Sequence, residues 1–321
     1  MIGRVPDLGP AVDTVINRCL AIKPGEETLV IADSGTRAIG EALRDGAAAI
    51  GSDAVLMIME PREVHGNEPP RTVAAALAAC DVFIAPTTRS LSHTVARKRA
   101  SEAGARGATM PGVTEDMLAR VMAVDFDTMA ARSDALARLL SEATTAHLSC
   151  PRGSDFTLDL TGRQGIPDDG ELTERGAFGN LPCGEGFISP IGGEGQIVVA
   201  ATLASLGIPE DPVTLSVEGG RLIAAEGRRG PEFLALLRAA GELGTNLAEL
   251  GIGTNDRAQL TGSVLEDEKI LGTVHVAFGA SAGIGGTVSV PIHLDVVVLD
   301  PTLDVDGRRV LEQGRYVLDA Q

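Results

Sequence analysis

Thr28–Leu29–Val30–Ile31–Ala32–Asp33 is an unbroken apolar run closed by a carboxylate, and Asp33–Ser34–Gly35–Thr36 separates it from an Ala-rich stretch that ends near Ile50. A short run of aliphatic and β-branched residues without alternation suits a strand buried on both faces, as strands of a parallel sheet are. The spacing predicts a helix over Thr36–Ile50, a strand over Ala54–Met59, a helix over Pro70–Ala79 and a strand over Asp81–Pro86. Helices are expected again at Ser92–Ala103, Thr114–Leu118 and Thr128–Ala143, with a short strand at Gly107–Met110 and an amphipathic helix around Ala11–Leu20. Strand, helix and strand in this rhythm require right-handed crossovers, hence a Rossmann-like parallel sheet. Neither G-x-G-x-x-G nor G-x-x-x-x-G-K-[ST] follows the first strand, so no dinucleotide or nucleotide phosphate is expected in this half.

Near residue 148 the texture changes. Short strands are expected at Phe156–Leu160, Gln196–Ala201, Val213–Val217 and Arg221–Ala225, separated by Gly, Pro and Asp turns, with one clear helix at Pro231–Leu243. The fold class is therefore α/β: a Rossmann-like parallel-sheet domain over 1–147, followed by a β-rich α+β metal-binding domain over 148–321. A chain of 321 residues is long enough for two cores.

The formal net charge of −17 repels polyanions, and no Lys/Arg stripe or aromatic platform offsets it, so nucleic acid is not an expected partner. No apolar run approaches the ~20 residues of a membrane span. The first residues lack the layout of a signal peptide, and Cys19, Cys80, Cys150 and Cys183 form no CxxC pair, which together point to reduced thiols and the cytoplasm. Aromatic residues make up 2% of the chain, so a site must work with carboxylates, imidazoles and backbone groups.

Pro291–Ile292–His293–Leu294–Asp295 leads into Val296–Val297–Val298, and side chains two apart on a strand share a face, so His293 and Asp295 can hold one metal ion. His275 lies in a second strand-like run, Gly272–Gly279, just after the acidic segment Leu265–Glu266–Asp267–Glu268–Lys269. One histidine in an apolar run is most often a hydrogen-bonded core residue. Two of the chain's five histidines beside acids change that balance. Glu185, between glycines in an apolar stretch, and Glu249, ahead of Leu250–Gly251–Ile252, are carboxylates whose burial would need a cation. Gly279–Gly286 imitates a dehydrogenase glycine loop, but Thr287–Pro291 is β-branched and proline-ended, so no pyrophosphate-binding helix can follow. No G-x-S-x-G elbow is present.

Taken in order, Asn180–Leu181–Pro182–Cys183–Gly184–Glu185, Glu249, Asp267–Glu268, His275–Val276–Ala277–Phe278–Gly279 and His293–Leu294–Asp295 resemble the thermophilic metallo-aminopeptidases of the aminopeptidase T and S type, and more loosely the 2,5-dihydroxypyridine dioxygenases. The resemblance implies a metallohydrolase that cleaves a small peptide or amide bond. Glu185, Glu249, His275, His293 and Asp295 would be metal ligands, Glu268 the general base, and the cofactor two divalent ions such as Zn, Co or Mn. It also implies a homodimer and a small-molecule or short-peptide substrate. The peptidases' tyrosine after the His275 position has no counterpart in Gly279–Gly283, which leaves oxyanion stabilisation to metal or to a backbone amide of the glycine loop. The alternatives are a mononuclear Fe(II) ring-cleaving dioxygenase using His275, His293 and Asp295, and a non-catalytic metal-binding relative.

Overall fold

In the computed structural model, which describes residues 6–318, Glu27–Asp33 is a strand buried along all but its first residue, as its unalternating sequence requires. It pairs in parallel with Asp53–Met59 on one side and Val82–Ala85 on the other. Arg106–Thr109 and Phe178–Asn180 continue the sheet in the same direction, making five parallel strands. Helices Arg37–Ala49, Arg71–Leu77 and Val95–Ala103 connect them. The first buries Ile39, Leu43 and Ala47, spaced one turn apart, which is why that stretch settles as a helix against the sheet. Thr94 caps Val95–Ala103 by accepting the Arg97 N–H.

Arg106, at the start of its strand, ties the N-terminal helical region to this sheet. Its Nε and Nη2 donate to the carbonyls of Leu20 and Ala21, while Nη1 and Nη2 hold Glu26 bidentately at 2.8 and 2.6 Å. That hydrogen bonding holds the Glu26 carboxyl below its usual range.

A second compact unit is antiparallel. Its larger sheet runs Arg221–Glu226, Val213–Glu218, Gly192–Val199, Asp155–Asp159, Thr145–Ser149, Thr302–Val305, Arg308–Glu312 and Arg315–Tyr316. Its smaller sheet runs His293–Val298, Val274–Gly279, Leu247–Gly253, Glu185–Ile188 and Gly165–Asp168. One apolar core joins the two sheets, with Phe156, Leu158, Ile197 and Leu215 from the larger and Leu250, Ile252, Val276 and Val296 from the smaller. Helix Phe126–Glu142 adds Leu136 and Leu140 to it.

The expected α/β class with a parallel and a β-rich part is the observed one. A single cut between 147 and 148 is not how the compact units divide. The first takes the chain to Val124 and then Gly170–Cys183, and the second takes Asp125–Asp169 and Gly184 onward. Phe126–Glu142 buries its apolar side in the second core, and Phe178–Asn180 completes the first sheet. Among the described residues no helix is long and apolar enough to cross a membrane.

Candidate metal centre

The smaller sheet has two chemically opposite faces. Leu250, Ile252, Val274, Val276, Phe278, Leu294, Val296 and Val298 point into the apolar core. The alternate positions carry Glu249, His275, His293 and Asp295, interleaved with small residues. Gly251 stands opposite His275, Ala277 opposite both Glu249 and Asp295, and Gly279 opposite His293. On the next strands Glu185 is opposite Gly253, and Asp168 is opposite Glu185. The small residues make room for the rings: a Cβ at Gly251 would lie 2.1 Å from His275 Cε1 and Nε2. Period-two patterning thus gives one face to the core and the other to acids and imidazoles.

Glu249 is the hub. Its Oε1 lies 3.4 Å from His275 Nε2 and its Oε2 lies 3.2 Å from His293 Nε2. His275 Nε2 also faces Glu185 Oε2 at 3.1 Å, and His293 Nε2 faces Asp295 Oδ1 at 3.4 Å. Two triplets therefore converge, Glu185–Glu249–His275 and Glu249–His293–Asp295, with Glu249 in both; Glu268 joins His275 and Asp295 in a third. His293 Nδ1 is 2.7 Å from the Ala280 carbonyl, which can only accept, so the proton sits on Nδ1 and Nε2 is left as a donor to metal.

These donors fit a metal better than they fit one another. Glu185 Oε2, which faces the imidazole of His275, is buried without a hydrogen bond. Donor atoms about 2.1 Å from a shared ion fall roughly 3.0–3.4 Å apart, the separations seen here. Charge points the same way. Asp168, Glu185, Glu249, Glu268 and Asp295 are five carboxylates within one shielded cluster, and Lys269 is its one ammonium. With neutral imidazoles that leaves four formal negative charges, which two divalent cations would balance.

Without cations, protons take up part of the load. Burial works against charge on His275 and His293, but Glu185 and Glu249 around the first and Asp295 and Glu249 around the second outweigh it and hold both well above the usual imidazole range. Burial likewise raises Glu249, yet the two imidazoles prevail and its carboxyl is strongly lowered. Burial pushes Glu268 up to about 8, with Lys269 opposing and Asp295 and Glu185 reinforcing. Asp168 is pushed up to about 6 by burial, against the pull of Lys269.

All six residues expected at the site, Glu185, Glu249, Glu268, His275, His293 and Asp295, come together. The set His275–His293–Asp295 is not gathered around one point; His275 groups with Glu185 and Glu249, or with Glu268 and Asp295. Neither glutamate is a surface loop residue: Glu185 opens a strand and Glu249 lies within one, both buried. Sequence reasoning missed Asp168 and Lys269. A lone lysine after three acids, with the apolar Ile270–Leu271 following it, was the available signal for Lys269. In the glycine loop, the amides of Ala280, Ser281, Ala282 and Gly286 are spent on the carbonyls of Ile292, Val288, Val288 and Ser281, so these four offer nothing to an oxyanion. Tyr316 packs against the apolar core from the last strand of the larger sheet.

A family model for 2,5-dihydroxypyridine 5,6-dioxygenase (NicX) matches residues 8–318. A 2,5-dihydroxypyridine 5,6-dioxygenase of Pseudomonas putida is 23% identical over 258 residues, 75% of this chain and 72% of that protein. The solved 2,5-dihydroxypyridine dioxygenase of Pseudomonas putida KT2440 superimposes with a TM-score of 0.81 at 20% identity, covering 97% of each chain. Wild-type AmpT from Thermus thermophilus superimposes with a TM-score of 0.70 at 20% identity, covering 97% of this chain and 99% of that one. The order of resemblance read from the sequence, aminopeptidases first and dioxygenases second, is thereby reversed, since AmpT shares the fold alone. By the span of its match, this chain belongs to the 2,5-dihydroxypyridine 5,6-dioxygenase family.

Proposed function

We propose that this chain is a metal-dependent enzyme that hydrolyses a small amide or lactam at a pair of divalent ions. The observation that carries the reading is the position of Glu249, one oxygen toward His275 and the other toward His293. Glu185, Glu249 and His275 would hold one ion, and Glu249, His293 and Asp295 the other. Ions bound there would polarise a substrate carbonyl and acidify a water. Glu268, buried beside His275 and Asp295, is the group that would accept the water proton and return it to the leaving nitrogen. The Ala280 carbonyl keeps the His293 proton on Nδ1 and the ring aimed at Glu249 and Asp295. The protein is further proposed to be a homodimer, which sedimentation checks.

Family membership favours a second reading, oxygen-dependent opening of a hydroxylated pyridine ring at one Fe(II), as named for the Pseudomonas relative. The comparisons weigh toward this second reading, and the donor set weighs toward the first. Glu249–His293–Asp295 offers one imidazole and two carboxylates, whereas non-haem iron oxygenases use two imidazoles and one carboxylate. The two substrate classes are chemically close, because a 2-hydroxypyridine is a tautomer of a cyclic amide.

Elemental analysis of protein purified without chelator separates them. The hydrolase predicts about two ions per chain, about one in Glu185→Ala and almost none in Glu249→Ala. One iron per chain, indifferent to Glu185→Ala, with oxygen uptake on 2,5-dihydroxypyridine after anaerobic iron loading, would overturn it in favour of the dioxygenase.

A further inference from the structure

Of the chain's three lysines, Lys23, Lys98 and Lys269, only Lys269 is buried, and it is buried among acids. Its Nζ carries three protons and meets three carboxylates: Glu185 Oε1 in a short contact, Glu268 Oε1 at 3.0 Å and Asp168 Oδ2 at 3.1 Å. The residue is 2% exposed, so bulk water does not share the ammonium. The backbone on either side is fixed, with the Lys269 N–H donating to Glu266 and its carbonyl accepting from Asn255, each at 2.9 Å.

The acids are forced together by the fold rather than drawn in by the lysine. Asp168 and Glu185 are directly paired on neighbouring antiparallel strands, where like charges repel. Glu268 closes the short helical turn Val264–Asp267 and arrives from a different element. Three carboxylate oxygens converging on one point is the arrangement that oxygen-liganded cations such as Mg²⁺, Mn²⁺ and Ca²⁺ take.

Resting on the reading that the neighbouring acids and imidazoles hold ions, we propose that Lys269 is a tethered cation that fills an all-oxygen pocket and so limits how many metal ions the centre takes up. Glu185 is the shared wall. Its Oε1 is committed to the ammonium, which leaves Oε2 alone to face His275 and Glu249. Lys269 is thus a positioning residue for Glu185. Truncating it while keeping the acids opens the pocket to a mobile divalent ion.

The test counts Mn²⁺ bound per chain at saturating free Mn²⁺ and near-neutral pH, for the wild type, Lys269→Ala and the double variant Lys269→Ala with Asp168→Asn. Lys269→Ala is expected to bind one ion per chain more than the wild type, and the double variant to lose that extra ion. High methylammonium should displace the extra ion from Lys269→Ala and leave the wild-type count unchanged. A count for Lys269→Ala equal to or below the wild type overturns the proposal. The wild-type count alone tests the two-ion centre, and the difference between variant and wild type tests Lys269, so each can fail without the other. Should Lys269→Ala not fold in ion-free buffer, refolding in graded Mn²⁺ or methylammonium decides: recovery with either cation supports the tethered cation, and recovery with neither overturns it.

Discussion

At the residue scale the centre depends on what is small as much as on what is charged. Gly251 leaves the space that the His275 ring occupies, so Gly251→Ala must push the imidazole aside. We expect this variant to lose about 2 kcal/mol of stability by overpacking and to bind roughly one ion fewer per chain. A melting curve and an ion count check both. Glu268→Gln keeps shape and hydrogen-bonding capacity but cannot take a proton; hydrolysis of an aminoacyl p-nitroanilide should fall by about 10²–10⁴ with the ion count unchanged. Loss of an ion instead would make Glu268 a ligand. His293 and Asp295 were legible because ligands two apart on a strand need only a local rule. Asp168 and Lys269 were not, because they meet only through tertiary folding, across about a hundred residues of chain.

At the scale of elements, the parallel half was readable almost throughout. Thr36 and Ile50 turn out to flank the helix Arg37–Ala49, and the strands fall within a residue or two of where apolar runs placed them. Gly165–Asp168, Phe178–Asn180 and Glu185–Ile188 escaped because strands of three or four residues containing glycine or proline carry no usable period. Their pairing is dictated by neighbours already in place. Two predictions belong here. Asp125 caps Phe126–Glu142 by accepting from the amides of Asp127 and Thr128, so Asp125→Ala should cost about 1 kcal/mol in denaturant unfolding. Arg106 lowers the Glu26 carboxyl below its unfolded value of 4.5. The pair's contribution is therefore complete above that value and fades as pH falls through the lower folded one. Glu26→Gln should lose about 1 kcal/mol at neutral pH, a partly screened pair, and the gap should narrow toward pH 3. A gap independent of pH would mean that the loss is one of packing.

At the scale of the whole molecule, the face of acids and imidazoles belongs to the second unit alone, since every candidate donor named above lies within Asp125–Asp169 or after Gly184. Chelator should then lower the unfolding temperature of that unit's transition by linkage, and restoring the ion should raise it again. Calorimetry with and without EDTA reads this, and an unchanged trace would argue that no ion is bound. The interleaving of the units has a further consequence for how the protein is made. The fifth strand of the first sheet, Phe178–Asn180, is translated only after the helix and early strands of its neighbour. A nascent chain therefore carries the Arg106–Thr109 edge open while dozens of later residues emerge from the ribosome. A gene truncated at codon 147 would freeze that stage, leaving a naked sheet edge and a helix whose Leu136 and Leu140 have lost most of their packing partners, both invitations to self-association.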